Sequence, residues 1–167
     1  MIKFIHAADF HLDAPFTALP PELAKQRREE QREALKDFAK ACEGCDMVLL
    51  SGDLFDGSTV YLDTVEALKA CFASIEAPVY IAPGNHDPYT ENSFYSVIQK
   101  EKPDNLYIFD STELKSIDFD DLRVRVFGYA FTSPVINESP LVSAELPQDN
   151  GYLKLLCAHA DLASPIS

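Results

Sequence analysis

Three short apolar runs, "IKFIHAA", "MVLLSGD" and "PVYIAPGNHD", each break off into polar residues, and longer stretches of helical period separate them. This alternation is the feature that most restricts the fold. Parallel strands cannot be joined by a tight turn and need a crossover of about a dozen residues or more, most simply a helix. Between the first two runs, residues from about Glu22 to Cys42 bring Leu35, Phe38, Ala39 and Cys42 onto one helical face, with Glu and Arg on the other. Between the next two, "STVYLDTVEALKACFASI" aligns Val65, Leu68, Phe72 and Ile75, and Ser58 or Thr59 is placed to cap it. Downstream, "SFYSVIQKE" reads as a short helix and "NLYIF" as a strand. "LKSIDFDDLRVRVFGYAF" reads as a hairpin turning near Asp120 and Asp121, so the later half is expected to be more antiparallel. A loop with Pro134, Pro140 and Pro147 leads to a last strand, "YLKLLCAH". With 167 residues, 47% of them hydrophobic, the chain can fill one domain core, and no repeat or linker divides it. The expected class is α/β, with mixed sheets flanked by helices.

The chain carries 27 acidic against 14 basic residues, a net charge of −13. Such a surface offers no electrostatic footprint for nucleic acid and repels an anionic membrane. A polyanionic substrate would therefore need another attraction, and bound cations supply one. The N-terminal "MIKFIHAADFH" is interrupted by His6, Asp9 and His11, and no run approaches the roughly 18 apolar residues of a membrane span, so a cytoplasmic protein is expected. Cys42, Cys45, Cys71 and Cys157 are too few and scattered for a disulfide framework. Cys42 and Cys45 form a C-x-x-C, but no second Cys or His pair lies near, which favours packing over zinc or redox chemistry.

The polar groups are more telling in where they fall. Asp9 and His11, then Asp53, then Asn85 and His86, then His159 all lie at the carboxyl ends of predicted strands, the edge at which open α/β sheets bind ligands. Two residues apart in an extended segment, Asp9 and His11 are expected to point to one side, with His6 turned away as a packed or supporting residue. The set mixes oxygen and nitrogen donors and contains no thiolate. It suits borderline or hard divalent ions such as Mn²⁺, Fe²⁺ or Zn²⁺. A lone D-x-H or G-D is a commonplace of caps and turns, and it is the ordered recurrence at strand ends that points to a metal site.

"DFH" at Asp9 to His11, "GDLFD" at Gly52 to Asp56 and "GNHD" at Gly84 to Asp87 resemble the first three signature blocks of the calcineurin-like metallophosphoesterases. The segments "FIHAADFHLD", "LLSGDLFD" and "VYIAPGNHDP" are most similar to the SbcD-type DNA repair exonucleases and their relatives of the YhaO kind. The protein phosphatases of the same group differ, with Arg and Glu where this chain has Gly57 and Asp87. The resemblance implies a phosphoesterase sandwich holding two divalent ions, Mn²⁺ first among them with Fe²⁺, Mg²⁺ or Zn²⁺ as alternatives. Asp9 and His11 would hold one ion, Asp53 would bridge, and Asn85 with His159 would hold the other. His86 would be catalytic, with Asp87 holding its orientation. Gly84 would permit the turn of its loop, and Gly52 and Asp56 would support the loop around Asp53. The implied reaction is in-line attack on phosphorus by a water that two cations about 3.5–4 Å apart activate. The implied partners are DNA and a coiled-coil ATPase, no membrane, with a homodimer left open.

The family closes its site with a G-H-x-H block, and no histidine follows His159. The expectation is that residues 1–167 are a nuclease domain cut before its last strands and ligands, with weak metal binding and little activity of its own. Two other readings stand beside the nuclease: a phosphoesterase for small molecules or nucleotides, which an acidic surface suits better, and a non-catalytic module that keeps the fold.

Overall fold

The computed structural model describes residues 1–142, 144 and 151–160. Pro147 and the "DLASPIS" segment, residues 161–167, lie outside them. The first half is an uninterrupted parallel unit. Strand β1 (Phe4–Ala7) leads through helix α1 (Pro21–Ala41) to β2 (Met47–Leu50), and α2 (Leu62–Ser74) leads to β3 (Val79–Ile81). Helix α3 (Phe94–Ile98) then leads to β4 (Leu106–Ile108). The four strands lie in the order β1-β2-β3-β4, all parallel. A second sheet holds β5 (Lys115–Phe119), β6 (Val124–Gly128) and β7 (Leu153–Cys157) in that order. The β5–β6 hairpin is antiparallel, turning over Asp120–Leu122 with Arg123 in the left-handed region at φ 55°. Strand β7 runs parallel to β6, so the antiparallel character expected of the later half stops at the hairpin.

Side-chain alternation explains why the central strands are apolar throughout. Val48 and Leu50 of β2 and Val79 and Ile81 of β3 face the helices, in a core with Leu35, Leu68 and Phe72. Met47, Leu49 and Tyr80 face the second sheet, packing with Val124, Val126 and Cys157. A strand covered on both faces loses the polar alternation of a half-exposed one. Both helices bury the faces their periodicity marks. Helix α2 is not capped by Ser58 or Thr59. Its first turn is tied by the buried Asp13, whose carboxylate accepts from the Tyr61 N–H at 2.9 Å and the Thr64 hydroxyl at 2.6 Å, with the Arg32 guanidinium 3.6 Å away. Cys42, Cys71 and Cys157 are buried as apolar side chains, and burial pushes their thiols up to about 11, about 12 and about 11. Among the described residues no helix is long and apolar enough to cross a membrane.

Candidate metal centre

The strands β1, β2, β3 and β7 all end at one edge, and there the chain leaves ordinary backbone conformation. Asp9, His11, Asp13 and Asp53 have φ of 57°, 46°, 62° and 53°. The left-handed region costs a non-glycine residue on the order of 1–3 kcal/mol and persists where surrounding bonds enforce it. Those bonds are a ladder between the first two loops. The N–H of Asp9 donates to Gly52 O at 3.1 Å, that of His11 to Asp53 O at 3.0 Å, that of Leu12 to Leu54 O at 2.8 Å, and that of Asp56 back to Leu12 O at 3.1 Å. Asp9 and His11 do converge, with Oδ1 and Nε2 3.9 Å apart, but the cause is this pair of left-handed kinks and not strand pleating. His6 points elsewhere, its Nε2 3.0 Å from the Ser51 hydroxyl.

The third loop is locked to the second by Asp87. This buried carboxylate accepts from the N–H groups of Gly84 at 2.9 Å and Asp53 at 3.2 Å through Oδ1. Through Oδ2 it accepts from the N–H of Phe55 at 3.1 Å and from the Tyr95 hydroxyl at 2.5 Å. Burial holds the Asp87 carboxyl above the usual carboxylate range, and the donors from Tyr95, Phe55 and Gly84 pull it back. The support of His86 expected from Asp87 is corrected by this geometry. All four bonds of Asp87 go to the loop frame and to α3, while His86 Nδ1 lies 3.3 Å from the carbonyl oxygen of Asp56. Gly84 is required for close approach more than for a turn, because a Cβ there would collide with the carboxylate and amide nitrogen of Asp53. Gly52 serves both needs, at φ 86° and with its would-be Cβ 2.6 Å from the His159 side chain. Asp56 also differs from expectation in its partner, its Oδ1 lying 2.9 Å from His11 Nδ1.

Two donor groups result, Asp9 with Asp53 and His159, and His11 with Asp56 and His86, the ligand atoms of each lying within 4.8 Å of one another. Asn85 joins the first, its Oδ1 2.9 Å from His159 Nε2. The groups adjoin through His11 Nε2 and Asp9 Oδ1, 3.9 Å apart, and within the second group the rings of His11 and His86 meet edge to face at 5.1 Å between centroids. Proton bookkeeping tests whether a cation fits. His159 Nδ1 lies 3.1 Å from Ser51 O, which can only accept, so the ring proton sits on Nδ1. The lone pair of Nε2 then faces Asn85 Oδ1 at 2.9 Å and Asp53 Oδ2 at 3.5 Å. Asn85 Oδ1, Asp53 Oδ2 and the Nε2 lone pair converge on one point, and a divalent cation there would take a lone pair from each. His11 repeats the pattern, its Nδ1 proton going to Asp56 and its Nε2 facing Asp9. A carboxylate behind the outer ring nitrogen is the usual support of a metal-ligating histidine. The residues fit divalent cations.

The family description "Calcineurin-like phosphoesterase" matches residues 2–165. The chain belongs to that family. It is 31% identical over 149 residues to the "Uncharacterized metallophosphoesterase YhaO" of Bacillus subtilis (strain 168), a match covering 83% of this chain and 36% of that protein. The chain thus spans about a third of the length of that curated relative. The comparison with solved structures gives the crystal structure of a protein of unknown function from Aquifex aeolicus, at 16% identity and a TM-score of 0.40 over 76% of this chain and 59% of the other. Calcineurin-like phosphoesterases hydrolyse phosphoesters with divalent metals, and the two-sheet α/β architecture here agrees with that fold.

As a member of this family, the chain has supporting residues that its sequence did not disclose. Tyr95, fully buried on α3, pins Asp87. Tyr129 donates its hydroxyl to His159 O at 2.9 Å, and the Phe131 ring packs edge-on to the His159 ring at 5.8 Å. An aromatic residue eight to thirty positions from its partner carries no local signal. The only cue was that "GYAF" supplies aromatics just past an apolar strand.

Proposed function

We propose that this chain carries the metal-binding part of a phosphodiesterase that cleaves DNA, as an exonuclease or an endonuclease. The observation that supports the metal-dependent chemistry is the convergence of the Asp9 and Asp53 carboxylates, Asn85 Oδ1 and His159 Nε2 at the strand ends, a donor set that suits a divalent cation. Asp9 and His11 would hold one divalent ion, Asn85 and His159 a second, and Asp53 both, with Mn²⁺ the first candidate. When bound, such ions supply the charge that activates water for attack at phosphorus. The chain's own residues do the rest. Asp87 and Tyr95 fix the Asp53 and Asn85 loops against each other. Asp56 holds His11 through its carboxylate and His86 through its carbonyl, so that His86, when protonated on both ring nitrogens, would present its Nε2 proton to the departing oxygen. Asp9 is the open side, its side chain 60% exposed, where a phosphate can enter.

The DNA substrate rests on the likeness of the three blocks to SbcD-type exonucleases, as do a coiled-coil ATPase partner and a cytoplasmic setting. One observation favours a second reading, a phosphoesterase for small diesters. A net charge of −13 supplies little of the Lys and Arg contact on which duplex binding depends. Hydrolysis assays of the whole protein, including any chain beyond residues 1–167, with Mn²⁺ on linear duplex DNA, bis-p-nitrophenyl phosphate and cyclic nucleotides separate the two, with His86→Ala as control. Degradation of DNA that His86→Ala abolishes supports the nuclease. Turnover confined to the small diesters supports the second reading, and no His86-dependent turnover of any substrate refutes both.

A further inference from the structure

Beside the donor groups, on the side away from His159, lies a cavity of about 480 Å³ that the metal chemistry does not use. It opens between the loop after Asp56, helix α2 and helix α3, and His86 forms part of its wall. The lining is mostly apolar: Val60, Val65, Phe94 and Val97 surround it, with Lys69 as its cation. Val97 is 56% exposed although α3 otherwise packs inward, so the cavity presents apolar surface to water at an edge that is otherwise polar. Its volume falls within the roughly 300–1,000 Å³ of small-molecule sites, which combine apolar walls with a few polar groups.

We propose that this cavity receives the leaving group of the phosphoester, and that the group it fits is an alcohol bearing a flat aromatic ring, the phenol of an aryl ester or the sugar hydroxyl of a nucleoside with its base. The inference rests on the proposed role of His86. Hydrolysis forms a P–O bond to water and breaks the P–O bond to the alcohol, which departs with the Nε2 proton of a doubly protonated His86, and a proton released by the attacking water returns to Nε2. The departing alcohol must therefore lie against His86, and the space there is this cavity. A small polar alcohol would leave the apolar walls wet, whereas an aromatic ring covers them, and Lys69, whose ammonium lies 3.6 Å from the Glu66 carboxylate, borders the site of a polar substituent.

The test needs neither metal nor turnover, so it stands or falls separately from the hydrolysis assay. Methyl NMR of the whole chain would be followed while 1-naphthol, and in a second arm adenosine, is added. The expected result is saturable shifts of the Val60, Val65 and Val97 methyls with 1-naphthol, and about tenfold weaker binding when the cavity is filled. Gly57→Phe fills it where a Cβ meets nothing within 4 Å, and Val97→Trp fills it from the exposed face of α3. Matching shifts with adenosine identify the ring as a nucleoside's, and shifts with 1-naphthol alone identify an aryl ester. The proposal is overturned if neither compound moves the three valines, or if both filled variants keep the spectrum of a folded chain and bind as tightly as the parent.

Discussion

Replacing Asp87 with Asn tests the loop frame that positions the donors. The carboxylate accepts from the N–H groups of Gly84 and Asp53 on one oxygen and from Phe55 N–H and the Tyr95 hydroxyl on the other. An amide keeps only one oxygen, so whichever way it turns, two buried donors face an NH₂ group. Each orphaned donor costs about 1–3 kcal/mol, which gives about 2–6 kcal/mol for the pair. Part is returned because Asn removes a carboxyl whose ionisation burial disfavours. A net loss of about 2–4 kcal/mol is expected, corresponding to a Tm lower by about 4–16 °C in a domain of this size. Urea unfolding read by circular dichroism, with calorimetric titration of Mn²⁺ alongside, measures both consequences. Metal affinity should fall too, because the Asp53 and Asn85 loops lose their common tie. A variant within about 0.5 kcal/mol of the parent, the range of an inconsequential surface substitution, and unchanged in Mn²⁺ affinity would refute the frame. It would also revive the view that Asp87 acts only through His86.

Other perturbations separate the remaining roles. Asp56→Ala removes the carboxylate behind His11, and Mn²⁺ affinity measured by calorimetry should drop about 10–100-fold. In the whole protein, His86→Gln should lower phosphodiester turnover by about 10²–10⁴-fold, while calorimetry finds Mn²⁺ binding little changed. Alkaline stability follows the buried thiols. The fold keeps the Cys157 proton up to about pH 11, against 9.0 for an ordinary thiol, so between those values the unfolded chain loses a proton that the folded chain retains. Stability should therefore be complete below pH 9 and fall by about 2–3 kcal/mol from this thiol alone as pH rises to 11, read from urea midpoints at pH 8 and 10.5.

How much of this was legible in the sequence depended on the range of the forces involved. The parallel strands could be read because β2 and β3 are covered on both faces, which forces runs such as "MVLL" and "VYI" to be apolar. The gathering of Asp9, His11, Asp53, Asn85 and His159 at one edge could be read because strand ends restrict position. The kinks at Asp9, His11 and Asp53 could not, since no glycine marks them and the ladder that enforces them joins residues some forty positions apart. Asp87 was misjudged for a related reason. A carboxylate next to His86 suggests a local pair, but its actual donors are backbone groups of two loops and a tyrosine on α3. The helix cap failed likewise: Ser58 and Thr59 were near, yet Asp13, 48 residues before Tyr61, does the tying.

The central claim is that Asp9, His11, Asp53, Asn85 and His159 form one cation-binding edge. Paramagnetic broadening by substoichiometric Mn²⁺, read on the imidazole resonances of all four histidines, tests it most directly. The account predicts that His11, His86 and His159 broaden together and first, that His6 follows more weakly, and that Asp53→Ala abolishes the pattern. Broadening centred on the acidic face of α1, or none at the three site histidines, would contradict it.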